Sequence, residues 1–238
     1  MCKKTKIMVS RRLWIATTAA VVLSAWILSA AVPVQAASDA EEAQAIVDKA
    51  RITFNGFMQD SQYSYLHENL ANAKGLLIYP QVLKAGFIFG GSGGTGVLVL
   101  KDPAKKDWSQ PAFYTMGSVT FGLQIGGEAA EVIMMVMTQK AVDTLFASSM
   151  KLGADASITA GPVGTGAKAN IVADFISFSS SKGAYAGLNL EGSVLDVRDG
   201  LNKAYYNKEV RPVDILVKQA VSNEGSAALR ADLKKALK

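Results

Sequence analysis

The chain has 238 residues, half of them hydrophobic, with 25 Lys and Arg against 20 Asp and Glu for a formal charge of +5. Five of the basic residues (Lys3, Lys4, Lys6, Arg11 and Arg12) lie in residues 1–36, which hold no acidic one, so the remainder balances at 20 against 20. That neutrality argues against sequence-independent nucleic-acid binding. The single Cys, Cys2, and single His, His67, exclude disulfides, Cys-ligated metal and multi-histidine metal sites in the body.

The first 36 residues read as an export leader. A cationic start is followed by an apolar run from Leu13 to Val32, then Pro33 and the small-residue exit Val34-Gln35-Ala36-Ala37. This is the layout of a secretory signal peptide, with cleavage after Ala36 or Ala37 both fitting. An uncleaved anchor is the alternative, since about 20 apolar residues can span a bilayer. Residues 37–238 then form one domain, with helices over 37–73, a glycine-rich strand region over 74–192 and helices over 193–238. The destination is the periplasm or cell envelope, or secretion.

Ser38 with Glu41 three residues later has capping-box spacing, and Ile46, Val47, Ala50, Phe54, Phe57 and Met58 recur at helical intervals. A second helix is expected over Tyr65–Ala73. From Gly75 the pattern turns to strands: Leu76–Tyr79, Phe87–Phe89 and Val97–Leu100, the last two joined by glycines as a hairpin. Trp108–Pro111 reads as loop. Ser118–Gly126 alternates strictly, with Val119, Phe121, Leu123 and Ile125 on a bulky face. Val132–Met137 is apolar throughout, as in a strand covered on both faces. A helix over Lys140–Ser149, strands near Ala154–Ala160, Ile171–Ser179 and Ala184–Leu190, and helices near Asn202–Tyr206, Val213–Ala220 and Ser226–Leu237 follow. The fold class is α+β: an antiparallel sheet or partly closed β-barrel flanked by N- and C-terminal helices.

Motifs of catalysis occur but fail on context. Gly91-Ser92-Gly93-Gly94-Thr95-Gly96 spells a dinucleotide fingerprint, yet the apolar strand Val97–Leu100 follows where a helix N-terminus must stand. The glycines are expected to form a hairpin turn. Gly161-Pro162-Val163-Gly164-Thr165-Gly166 approaches a P-loop, but Ala167 occupies the lysine position. Ser179-Ser180-Ser181-Lys182 has the serine–lysine spacing of penicillin-binding enzymes without their partner motifs. No nucleophile, base and oxyanion donors assemble from spacing, so the chain is read as a non-enzyme with no cofactor or metal.

Ala73-Lys74-Gly75-Leu76-Leu77-Ile78-Tyr79-Pro80, followed by Lys84-Ala85-Gly86-Phe87, strongly resembles the opening of the SYLF lipid-binding family. The agreement continues through Gly90-Gly91, Gly94–Val97, Trp108–Phe113, Gly122–Gly127, Leu152–Ser157, Gly161-Pro162, Ser181–Gly187 and Glu191-Gly192. The resemblance spans roughly Asn69 to Ala236. It implies a non-catalytic membrane-binding module, phosphoinositide-binding in eukaryotic members, with actin binding in some yeast relatives. The leader departs from those relatives and marks an exported, bacterial member, which makes cytoplasmic actin an unlikely partner and leaves the natural lipid open.

Charge then suggests which surface meets an anionic head group. Residues 37–60 carry a local −3, poor for anionic lipid, whereas residues 198–238 carry +4. The last helix sets Leu229, Leu233 and Leu237 beside Arg230, Lys234, Lys235 and Lys238, either as a basic amphipathic helix or as a solvated helix docked by its leucines. Lys74, Lys84 and Lys182 lie close to glycines at expected strand ends or turns, where an ammonium group can reach a phosphate. The candidate phospholipid-binding residues are therefore Lys74, Lys84, Lys182, Lys234 and Lys235, with ordinary solvated lysines as the alternative. A structural or protein–protein module of the cell envelope is the competing function.

Overall fold

A computed structural model describes residues 38–86, 89–102, 107–121, 126–181 and 190–237. The leader, Lys182 and Lys238 fall outside the described residues, as do residues 87–88 of the strand expected over Phe87–Phe89, 122–125 of that over Ser118–Gly126 and 184–189 of that over Ala184–Leu190. Helix α1 (Asp39–Gln59) starts as its sequence dictates: the Glu41 amide donates to Ser38 Oγ at 3.3 Å and the Ser38 amide donates to the Glu41 carboxylate at 2.8 Å. Its stripe of Ala43, Val47, Ala50, Phe54 and Phe57 is buried. The other α-helices among the described residues are α2 (Ser64–Asn69), α3 (Gln139–Thr144), α4 (Asp199–Tyr206), α5 (Pro212–Leu216) and α6 (Ala227–Lys235).

Among the described residues nine strands form the sheet: β1 (Gly75–Gly86), β2 (Phe89–Asp102), β3 (Asp107–Trp108), β4 (Ala112–Phe121), β5 (Gly126–Val136), β6 (Ser149–Lys151), β7 (Ile158–Ala160), β8 (Phe175–Ser181) and β9 (Val194–Val197). Their order is β6-β9-β4-β2-β1-β5-β8-β7, with β3 added to β2. Every pairing is antiparallel except β7 with β8, so the α+β architecture is a curled, mixed half-barrel with helices at both ends of the chain. Helix α3 forms where a helix is expected over Lys140–Ser149 but ends at Thr144, with Ser149 opening β6, and β9 lies in the stretch over 193–238 expected to be helical.

The central strands are apolar on both sides because both faces are covered. Leu76, Ile78, Val97, Val99, Phe113, Ile133 and Phe178 lie against α1, α2, α4 and α6. Leu77, Tyr79, Leu98, Tyr114, Met116, Val132 and Met134 lie against α3 and α5. Burial of each such side chain contributes about 1.5–3 kcal/mol, which places the stability of the fold in these two layers. Asn202, wholly buried on α4, accepts the Phe113 amide at 2.9 Å and fixes that helix to β4. The C-terminal segment clasps the first helix: Arg51 Nε and Asn55 Nδ2 donate to Asp232 Oδ2 at 2.6 and 2.8 Å, and Gln44 Nε2 donates to the Gly225 carbonyl at 3.1 Å.

Two sequence expectations are corrected by one device. The strand expected to stop at Pro80 runs on to Gly86, and the glycine run expected to turn lies inside the straight course of β2. Pro80 is tolerated in a central strand because β1 bulges there. The register passes from Ile78↔Val97 to Leu83↔Gly93 on one side and from Tyr79↔Val132 to Val82↔Ala130 on the other, one extra residue of β1 each time. The bulge presses backbone onto β2. A methyl group on Gly94 would overlap the Gln81 carbonyl, and one on Gly96 would overlap the Ile78 carbonyl and lie 2.7 Å from Tyr79 Cδ1. These glycines supply clearance within β2, which pairs antiparallel with β1 as far as Gly86↔Gly90.

Candidate functional site

Beyond the bulge the sheet outlasts its covering. The successive rows Ala129–Leu83–Gly93–Gly117 and Glu128–Lys84–Ser92–Ser118 continue across β5, β1, β2 and β4. Within a row the side chains share a face, and successive rows alternate. One face therefore carries Leu83 and, two rows on from its level, Val119 among glycines. Leu83 is 56 % and Val119 74 % exposed, and a methyl group on Gly117 would meet only open space. The bulky face of the expected Ser118–Gly126 strand is thus turned to solvent at Val119. The opposite face is polar: Ser92 Oγ and Ser118 Oγ are 2.7 Å apart, and Lys84 is in register with Glu128.

At the other end of β1 lies a cleft of about 520 Å³, walled by Lys74, Leu100, Lys101, Asp102, Val142, Leu216 and Gln219, among others. Lys101 and Lys74 are tied through their backbones, the Lys101 amide donating to the Lys74 carbonyl at 2.8 Å. Lys101 also turns its ammonium group inward to donate to the Ala71 carbonyl. Burial, then the charge of Lys74, hold the Lys101 amine below its ordinary pKa.

The four expected lysines that lie among the described residues do not form one patch. Lys74 and Lys84 stand at opposite ends of the same strand, roughly 30 Å apart at strand rise. Lys234 sits 3.6 Å from the Asp107 carboxylate and Lys235 is exposed on α6. Leu229 and Leu233 are buried in the core and Leu237 packs against it, so α6 is docked by its leucines. That removes Leu233 from the apolar insertion its spacing offered. Arg230 reinforces the docking by donating from Nε to the Trp108 carbonyl at 2.8 Å. Sequence reasoning missed Lys101 altogether; its only signal was a lysine closing the apolar run of β2.

The remaining reactive groups are structural. His67 Nε2 is 2.8 Å from the Phe57 carbonyl, and Ser179–Ser181 lie on β8 and not at a helix start. Asp174 is a heavily bonded carboxylate: Thr138 Oγ1 donates to Oδ1 at 2.5 Å, while the Ser157 amide and hydroxyl both donate to Oδ2 at 2.9 Å. These bonds tie the start of β8 to the segment before β7 and to the N-cap of α3. Among the described residues no three His, Cys, Asp or Glu side chains form a metal-holding group, and no helix is long and apolar enough to cross a membrane.

Residues 117–236, from the end of β4 through α6, match the family described as Ysc84, Las17-binding protein actin regulator. The chain belongs to the Ysc84/SYLF family. An SH3 domain-containing protein of Schizosaccharomyces pombe is 38 % identical over 68 % of this chain and 38 % of its own length. The SH3 domain-containing YSC84-like protein 1 of Homo sapiens is 32 % identical over 62 % of this chain and 44 % of its own. LAS seventeen-binding protein 3 of Saccharomyces cerevisiae is 37 % identical over 58 % of this chain and 31 % of its own. The chain thus spans less than half the length of these Ysc84/SYLF relatives. No solved structure matches it significantly. Members of the family are named as binding or regulatory proteins and not as enzymes.

Proposed function

We infer that this Ysc84/SYLF chain is a non-catalytic interaction module that docks a protein partner on the uncovered end of its sheet. The carrying observation is the exposure of Leu83 and Val119 on the face that is open at Gly117. Relatives named for binding Las17 and regulating actin support the class of ligand. Charge supports protein over lipid at this end, because Lys84 faces Glu128 in register and leaves no excess of positive charge for an anionic bilayer. The expected export leader supports a cell-envelope setting after cleavage, and with it an envelope protein as partner in preference to cytoplasmic actin.

The test is photo-crosslinking in the producing cell from residue 83 or 119, with the fully exposed Val172 as control. A discrete protein adduct from 83 and 119, absent from 172, is the expected result. Adducts to lipid alone, or none, refute it. Binding of anionic phospholipid through local lysines is the second reading, favoured by the adjacency of Lys74 and Lys101 at the other end of the sheet.

A further inference from the structure

The C-terminal half of α1 holds the chain's only Asn–Gly pair, Asn55-Gly56, and the C-terminal clasp closes directly on it. Asn55 Nδ2 and Arg51 Nε donate to the same oxygen, Asp232 Oδ2, at 2.8 and 2.6 Å. The Asn55 amide is foremost among the groups that hold the Asp232 carboxyl below its ordinary pKa, ahead of Arg51. Gly56 is exposed and a methyl group there would meet open space, so no packing within the described chain calls for a glycine. It weakens the helix relative to alanine, and the last turn has no basic residue to complement the helix dipole. With Asp48, Ile52 and Gln59, both residues line an open cleft of about 530 Å³ that admits water to them. Asparagine followed by glycine is the pairing most prone to lose ammonia, because no side chain shields the glycine nitrogen as it attacks the amide carbon. In the closed fold that nitrogen is out of play: the helix aims its N–H at the carbonyl four residues back, and the clasp holds the Asn55 side chain.

We propose that Asn55 is a deamidation site guarded by the C-terminal clasp, and that its conversion unfastens the clasp irreversibly. When α6 lifts and the end of α1 frays, the Gly56 nitrogen gives up its proton and bonds to Asn55 Cγ. The Cγ–Nδ2 bond breaks, and ammonia leaves carrying that proton. Water then adds to one carbonyl of the cyclic imide, which opens to aspartate or isoaspartate; one water is consumed for each ammonia released. Neither product rebuilds the clasp. Aspartate sets a second carboxylate where a donor faced Asp232, and the nearby cations, Arg51 and Lys235, do not replace the lost hydrogen bond. Isoaspartate adds a methylene to the backbone and breaks the helical ladder. Helix α6 then depends on burial of Leu229 and Leu233 and on the Arg230 bond to the Trp108 carbonyl.

The test incubates the full chain at neutral pH and body temperature and follows the tryptic peptide Ile52–Lys74, which also holds Asn69 and Asn72, by mass spectrometry with isoaspartate detection. Conversion at Asn55 and not at Asn69 or Asn72 is expected, faster by about tenfold in Asp232→Ala, which removes the acceptor of the clasp. Gly56→Ala should suppress the conversion in both backgrounds. Asn55→Asp, the product prepared directly, should speed amide hydrogen exchange in α6 by about tenfold while β1 keeps its protection. Protection of β1 also reports that each variant stays folded, and Arg51→Gln takes the place of Asp232→Ala if the latter does not. Equal rates at Asn55 in the wild-type chain and the clasp variant, or α6 protection unaltered by Asn55→Asp, overturn the proposal.

Discussion

Asp174→Asn is the sharpest test of how this fold is held together. The residue is only 9 % exposed. The Thr138 hydroxyl, then the Ser157 amide and hydroxyl and the nearby Lys140, hold its pKa down to about 2 against the opposing effect of burial. In the unfolded chain it returns to its ordinary value of 3.8. At about 1.4 kcal/mol per pKa unit, the charged form contributes about 2 kcal/mol to stability. Because the folded pKa is depressed, that contribution is complete above pH 4, roughly, and is lost as pH falls toward 2. Asparagine keeps one acceptor oxygen but turns an NH₂ donor toward groups that are themselves donating, so a loss of about 2–3 kcal/mol at neutral pH is expected. Urea unfolding of the chain from Ser38, followed by emission of Trp108, its only tryptophan, measures both proteins. The gap between them should be largest at neutral pH and shrink by about 2 kcal/mol near pH 2. A gap independent of pH refutes the assignment of this carboxylate as the ionised clasp.

Gly96→Ala should cost about 1–3 kcal/mol in the same unfolding assay, because the added methyl group collides with the bulged β1 backbone. Gly117→Ala, which enters open space, should change stability by no more than about 0.5 kcal/mol. Equal midpoints for these two variants would contradict the clearance role of the glycine run. Leu233→Ala should destabilise the domain by about 2–5 kcal/mol, as expected of a core side chain and not of a membrane-inserting one. Intact-mass measurement on exported protein should find Ala37 or Ser38 at the N-terminus, and retention of Met1 to Ala36 would contradict the leader reading.

The elements legible in the sequence are those whose cause is local. The Ser38–Glu41 cap and the α1 stripe need only near neighbours, and the doubly apolar Val132–Met137 run announces a strand buried on both faces. The family resemblance, carried by ordered blocks, was legible as well, and its match covers residues 117–236. What was not legible depends on a partner strand. Gly94 and Gly96 look like turn residues until the bulge at Pro80 and Gln81 is seen to lie against them. The lysine site failed for a related reason. Lys74 and Lys84 are close in the chain, but an extended strand separates them by its full length, while Lys74 and Lys101, distant in the chain, meet across β1 and β2. Strand pairing between distant segments is where one-dimensional reading loses its warrant.

The clasp of α1 by the C-terminal segment sets an order of events during synthesis. Arg51 and Asp232 are 181 residues apart, so at about 5–20 residues per second the first helix waits roughly 10–40 s for the residues that close over it. Through that interval Val47, Phe54 and Phe57 have neither the sheet in final form nor α6 against them. A helix of this length gains most of its stability from packing, so α1 flickers until the end of the chain arrives. The last helix is therefore a lock: a chain cut short before Ala227 leaves the apolar stripe of its first helix open, and aggregation or proteolysis of such fragments follows from the same contacts that finish the intact fold.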